Sequence, residues 1–433
     1  MRLAWMLSAA VASIATVAQA SSLLEIAASM PKCGLLCLEK EILASPCALT
    51  DTTCSCSNAT LTNEITLCVV ESCNIRDQLS SKNATETLCG APVRDRTREV
   101  SYTGVIGGIL ALIAYILRMI ARLPKFGGEI GADDWVMTAT VLIVAPLTCL
   151  SVVLAEAGLG RDMWAIPAKN VTRILYIYYI DEDLYLSALP MLKISICCFY
   201  LRIFPERNLR RIIWAVIGLC AGYGIAFVLV SIFQCRPISY AWNQWDGEHA
   251  GTCNNINAQG WTSAVLNIVL DLTVIILPLP FLAKLQLNKR KKVLLMLMFS
   301  LGFFITIVSI LRLDALIQFG DTSNITWDYV SVGYWSTIEL HVGIICGCLP
   351  AIRSLALHFM PKIMGKSTVE QSGYDSQAPT LQKSTNIAVS SRPKNDDDAD
   401  FIPLVDVESQ RANTPHQAHQ EDKVIMKTQA HET

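Results

Sequence analysis

The chain has 433 residues, of which 52% are hydrophobic and only 17% charged, with 35 basic and 37 acidic side chains and a formal net charge of -2. Soluble domains carry about 25% charged residues, so this composition, with a mean hydropathy of +0.40, excludes an ordinary soluble globular protein. The near-neutral balance lacks the basic footprint of a nucleic-acid binder, and no nucleic-acid partner is expected.

The first residues read as a targeting segment. Arg2 supplies a positive start, Leu3 to Val17 an apolar stretch, and Ala18-Gln19-Ala20 a small-residue cleavage site. This predicts a secretory signal peptide over 1–20. The alternative is an eighth membrane helix, but about 15 apolar residues are short for a ~30 Å hydrocarbon core. The segment 21–95 then matures in an oxidising compartment.

Eight of the sixteen cysteines fall between Cys33 and Cys89, spaced C-x3-C-x9-C-x6-C-x-C-x11-C-x4-C-x15-C. So short a segment buries too little apolar surface to be stable unaided, and cross-links are the remedy. Zinc is the rival explanation for Cys54-Ser55-Cys56. The segment has no C-x2-C pair and no histidine, which favours disulfides. Eight cysteines allow on the order of a hundred pairings, and spacing does not choose among them.

Pro31-Lys32-Cys33-Gly34-Leu35-Leu36-Cys37, then Cys47, Asp51-Thr52-Thr53-Cys54-Ser55-Cys56, Cys68, Cys73 and Cys89 resemble a fungal CFEM domain. The resemblance implies a helical basket with pairs Cys33–Cys73, Cys37–Cys68, Cys47–Cys54 and Cys56–Cys89. It also implies haem as a cofactor, with Asp51 as axial iron ligand. A hard carboxylate oxygen suits ferric iron, and Leu49, Leu61, Ile65 and Leu67 are candidates to pack on the porphyrin. The alternative role for Asp51 is a helix N-cap within Thr50-Asp51-Thr52-Thr53.

Apolar stretches of spanning length follow at 101–121, 135–155, 180–203, 212–233, 260–282, 293–317 and 331–354. With the N-terminus outside, seven crossings leave the tail 361–433 in the cytoplasm, where its Ser, Thr, Gln, Pro and acidic composition predicts disorder. Arg202, Arg207, Arg210, Arg211, Lys284, Lys289, Arg290, Lys291 and Lys292 then fall in inner loops, as the positive-inside rule requires. The glycosylation sequons at Asn58, Asn83, Asn170 and Asn324 all fall outside. Cys235 and Cys253 share the second outer loop, and a disulfide between them is expected to brace it. Cys149, Cys197, Cys198, Cys220, Cys346 and Cys348 lie within spans and read as packing residues.

Leu192-Lys193-Ile194-Ser195, Phe199-Tyr200-Leu201-Arg202-Ile203-Phe204, Phe233-Gln234-Cys235-Arg236-Pro237, Asp271, Leu277-Pro278-Leu279-Pro280 and Trp335-Ser336-Thr337-Ile338-Glu339 through Cys348-Leu349-Pro350 form a second set. Together they resemble the fungal rhodopsin-like integral membrane family over 101–360, which with the module implies its receptor-like CFEM subgroup. The seventh span has no lysine for a retinal Schiff base and no Asn-Pro-x-x-Tyr.

Charges inside a bilayer are costly and usually paired. Lys193, Asp271, Arg312 and Glu339 are therefore expected to form an intramembrane polar network, as a switch or as a register-fixing set. Arg312 and Glu339 sit at matched depth and are expected to pair. His341, Asp314 and Asp181-Glu182-Asp183 add further charge within or near spans.

These readings predict an all-α membrane protein: a seven-helix bundle behind a disulfide-stapled helical module. The leading function is a multi-pass plasma-membrane receptor-like protein that senses an extracellular cue, host or surface related, and addresses a cytoplasmic signalling protein, with membrane lipid around it. The alternative is a haem or iron acquisition protein anchored by its bundle. No nucleophile, base and oxyanion-hole spacing occurs, so no enzyme is expected. No repeated half or broken helix pair supports a transporter.

Overall fold

A computed structural model describes residues 29–49, 51–126, 128–280, 289–320 and 322–359. The expected signal segment 1–20, the tail 361–433 and Lys284 lie outside the described residues.

The module consists of α1 (Lys32–Ala44), α2 (Thr52–Ser57), α3 (Ala59–Ser72) and α4 (Ile75–Leu88). Three of these helices start on side-chain caps. Asp51 accepts from Cys54 N at 3.0 Å, Asn58 from Leu61 N at 3.2 Å and Asn74 from Asp77 N at 2.8 Å, each satisfying a backbone donor that a helix start leaves orphaned. Leu61, Ile65 and Val69 lie along one face of α3 and bury against Cys37, Ile42 and Cys47. Disulfides join Cys33–Cys73, Cys37–Cys68, Cys47–Cys54 and Cys56–Cys89 around this small core. Closing loops with sequence separations of 31 to 40 residues restricts the unfolded chain by about 2–4 kcal/mol each.

The bundle follows as α5 (Thr97–Ala121), α6 (Ala132–Ala157), α7 (Ala168–Ile203) and α8 (Arg207–Ile232), then the short α9 (Tyr240–Asn243), then α10 (Ile256–Ile276), α11 (Lys289–Phe319) and α12 (Ile325–Phe359). Among the described residues six helices, α5 to α8, α10 and α12, are long and apolar enough to cross a bilayer. The helix at the sixth expected span, α11, has 31 residues and packs beside α10 and α12. Large apolar side chains point outward along the bundle, among them Ile106, Ile113, Leu142, Leu219 and Ile225, as a lipid solvent allows and water would not. Inside, Met137, Val144, Leu147, Leu186, Leu189, Leu340 and Ile344 fill the space between α6, α7 and α12. Cys197 and Cys220 are buried in the α7–α8 contact.

The third span departs most from expectation. The helix starts at Ala168 rather than near 180 and runs 36 residues, about 54 Å at 1.5 Å per residue. Lys169 and Arg173 interrupt the apolar run, so hydropathy stops short of the true start. The extra turns are held by Val171, Ile174, Leu175 and Ile177, all buried. They carry α7 past a ~30 Å hydrocarbon core, toward the module.

Between α8 and α10 the chain makes a two-stranded antiparallel ribbon, β1 (Cys235–Arg236) with β2 (Thr252–Cys253), in which Cys235 faces Cys253 and bonds to it.

Candidate functional site

Four of the bundle helices aim polar side chains at one buried point. Lys193 on α7 donates to Asn267 Oδ1 at 2.7 Å and pairs with Asp271 Oδ1 at 3.0 Å, both on α10. Asn267 Nδ2 donates to Glu339 Oε1 of α12 at 2.7 Å, and Ser309 Oγ of α11 donates to the same oxygen at 2.8 Å. The Tyr185 hydroxyl on α7 donates to Glu339 Oε2 at 2.6 Å. Lys193, Asn267, Asp271, Arg312 and Glu339 are all buried, and the two cations and two anions among them cancel formally.

Arg312 corrects the expected pair with Glu339. Its guanidinium lies over the Tyr185 ring, 4.2 Å from the centroid, and among the described residues it makes no ion pair. Counting rise along two helices gives depth but not azimuth, and Tyr185 occupies the space between the two charges. Tyr185, Asn267 and Ser309 escaped the charge-based reading because they are neutral. Asn267 and Asp271 do show a signal in retrospect, four residues apart on one helix face. His341 is separate: it bonds Thr148 Oγ1 at 3.0 Å. Asp314 accepts from Gln318 at an exposed position.

A cavity of about 120 Å³ lies above this core on the module side, with Tyr185 and Arg312 in its floor and Asp181, Glu182, Ala241 and Gln244 among its walls.

A second ionic cluster, unforeseen in the sequence, closes the far end of the bundle. Arg118 on α5 reaches Asp133 Oδ2 at 2.6 Å, Asp134 Oδ1 at 2.8 Å and Gly347 O of α12 at 2.7 Å. Arg122 adds Asp133 at 2.9 Å and Asp134 at 3.0 Å. Arg202, from the end of α7, stands 3.5 Å from Asp133. The adjacent acids at the start of α6 and a lone arginine in an apolar run were the available signals.

The module docks on the opposite end through α4. Arg76 bonds Asp246 at 2.9 Å, Lys82 stacks on Trp164 at 3.8 Å, and Ile75 and Leu79 pack on Met163, Val171, Leu175 and Trp245. In the link to α5, Arg94 pairs with Asp162 and covers Trp327 at 4.3 Å. Burial works to raise the Asp246 carboxyl, but hydrogen bonds from Arg76, His249 and the Glu248 backbone outweigh it and hold it down at about 2.

Asp51 is exposed, with one oxygen on Cys54 N. Of the four leucine and isoleucine candidates for a porphyrin wall, Leu61 and Ile65 are spent in the module core, while Leu49 and Leu67 stay exposed. Helical periodicity puts 61 and 65 on the face opposite 67. Among the described residues, only Leu49 and Leu67 of these four remain exposed along with Asp51 for a porphyrin face.

The sequon asparagines differ as sharply. Asn83 is exposed, and Asn58 and Asn170 are half-buried. Asn324 is buried, and its amide donates to Asp162 at 2.7 Å and accepts from Met163 N at 2.9 Å, so in the folded chain it ties the start of α12 to the loop after α6.

Residues 26–90 match the CFEM domain, and residues 117–358 match the fungal rhodopsin domain. The chain is 31% identical over 244 residues to a SAT4 family membrane protein of Emericella nidulans, covering 55% of this chain and 61% of that one. It is 25% identical over 257 residues to Receptor GIN3 of Arthrobotrys oligospora, covering 59% and 62%. A Metarhizium anisopliae relative, polyenoic acids biosynthesis gene cluster protein Ba17b, is 26% identical over 302 residues, covering 66% of this chain and 80% of that one. The chain thus spans about three fifths of the length of the first two relatives. No solved structure matches. A helical membrane bundle matched over more than half of the chain, behind a stapled eight-cysteine module, makes this protein a member of the fungal rhodopsin domain family that carries a CFEM domain.

Proposed function

We propose that this protein is a plasma-membrane receptor-like protein, not an enzyme, whose CFEM module faces the exterior and whose far end faces the cytoplasm. The observation that carries the reading is α7. One helix touches the docked module through Val171 and Leu175, the polar core through Tyr185 and Lys193, and the far ionic cluster through Ser195 and Arg202. One continuous helix in contact with all three is a physical route by which a cue bound at the module biases a cytoplasmic partner. The relative named a receptor agrees with this assignment. Deleting residues 21–95 behind a retained signal segment should leave the protein at the cell surface and abolish its cue-dependent response. An unchanged response rejects the sensor role. The orientation is tested by enzymatic deglycosylation: a mobility shift that becomes smaller in Asn83→Gln places the module outside.

The second reading, haem acquisition, rests on Asp51, whose second carboxylate oxygen carries no hydrogen bond among the described residues. The full chain should then give a ferric-haem absorbance band that is lost in Asp51→Asn. An unperturbed haem spectrum ends that reading.

A further inference from the structure

The cavity beneath the disulfide loop brings together charges that lack partners. Arg312, 7% exposed, lines it, and its Nε–H finds no acceptor. Its described contact is the Tyr185 ring. An arginine stays protonated in any protein environment, so an unpaired guanidinium here is a standing electrostatic cost. Asp181, one helical turn above Tyr185 on α7, also lines the cavity, and its Oδ1 is buried without a hydrogen bond. Glu182 lines it too. No ion pair joins Arg312 to either acid among the described residues, so the opposite charges share a space without meeting.

The dimensions restrict what fits between them. About 120 Å³ is well below the ~300–1,000 Å³ of a drug-sized site, which favours a small ligand over a porphyrin, a peptide or a sterol. Tyr178, Tyr329 and Trp261 supply aromatic wall, which tolerates an ammonium group as well as a methyl.

We propose that this cavity binds a small zwitterion of amino-acid size, its carboxylate on Arg312 and its ammonium on Asp181 and Glu182. One such ligand satisfies both unpaired groups at once, whereas a singly charged molecule satisfies one and leaves the other stranded. Ala241 and Gln244 of the Cys235–Cys253 loop form the cavity's lining on the module side. The proposal goes beyond the receptor reading and does not depend on it, since binding needs no downstream response.

The test is calorimetric titration and thermal unfolding of the full chain in lipid nanodiscs. The probes are L-alanine, its singly charged analogues ethylamine and propionate, and L-tryptophan. Alanine should bind and raise the unfolding temperature, each analogue should bind about tenfold more weakly or worse, and tryptophan should not bind. Arg312→Gln should weaken alanine about tenfold or more while sparing ethylamine, and Asp181→Asn should spare propionate instead. Gly333→Leu is the variant that leaves the charges intact. Gly333 lines the cavity, and a Cβ added there meets only Tyr178, at 4.0 Å, so a larger side chain can start there and should block alanine. If glycine, alanine, serine and valine all fail to bind at millimolar concentration, the cavity holds water and the proposal is overturned. Alanine binding that survives both Arg312→Gln and Gly333→Leu overturns it as well.

Discussion

Tyr185 holds two opposite charges at once: its hydroxyl donates to Glu339 Oε2 at 2.6 Å, and its ring carries Arg312 at 4.2 Å. The two ionic groups thus communicate through a neutral side chain on a third helix.

This arrangement predicts which pairs couple. Tyr185→Phe strands one oxygen of a buried carboxylate, at about 1–3 kcal/mol, while keeping the ring under Arg312. In double-mutant cycles on thermal unfolding, Tyr185→Phe with Glu339→Gln should show a larger interaction energy than Arg312→Gln with Glu339→Gln. The reverse order would mean that Arg312 and Glu339 pair directly.

At the far end, burial separates two arginines of one cluster. Arg118 is 1% exposed and touches both Asp133 and Asp134. Its replacement by methionine leaves buried carboxylates short of a partner, at about 3–5 kcal/mol. The Arg202 side chain is 30% exposed, comes no nearer than 3.5 Å to either acid and donates to Glu129 O at an exposed position, so Arg202→Ala should cost about 1 kcal/mol or less. Equal losses in unfolding temperature would contradict this ranking.

The seam between module and bundle should be acid-labile. A carboxylate held down at about 2 contributes stability that is complete above its unfolded value near ~3.9 and disappears as pH falls through the folded value. Opening across Ile75–Leu88, read as hydrogen exchange relative to the intrinsic amide rate at each pH, should therefore be flat above pH ~5 and rise between pH ~4 and ~2. Arg76→Ala removes a hydrogen bond that depresses Asp246 and should move that rise to higher pH. A profile unchanged by the substitution would detach Asp246 from docking.

Asp51 has a structural role that is separable from any ligand role. Asp51→Ala removes the cap on Cys54 N and should destabilise the start of α2 by about 1 kcal/mol. Asn is as good a cap as Asp, so Asp51→Asn should leave amide exchange at Cys54 unchanged while removing the charge. Equal exchange in all three proteins would show that the cap contributes nothing.

The chain announces its architecture through local signals. Seven apolar runs, eight spaced cysteines and basic residues clustered after the third and fifth runs are properties of neighbouring residues, and the burial of a run depends mainly on its own composition. The start of α7 was hidden because Lys169 and Arg173 break that composition, although tertiary contacts at Val171, Ile174 and Ile177 bury the intervening turns. Lys193, Asp271, Arg312 and Glu339 were visible as isolated intramembrane charges, since a charge in an apolar run needs a partner. Which partner each takes was decided by the rotation of the helices about their axes. That rotation put Asn267 between Lys193 and Glu339, Tyr185 under Arg312, and Arg118 against Asp133 and Asp134. Helix azimuth is set by packing across several segments far apart in sequence, so only the tertiary structure determined these pairings.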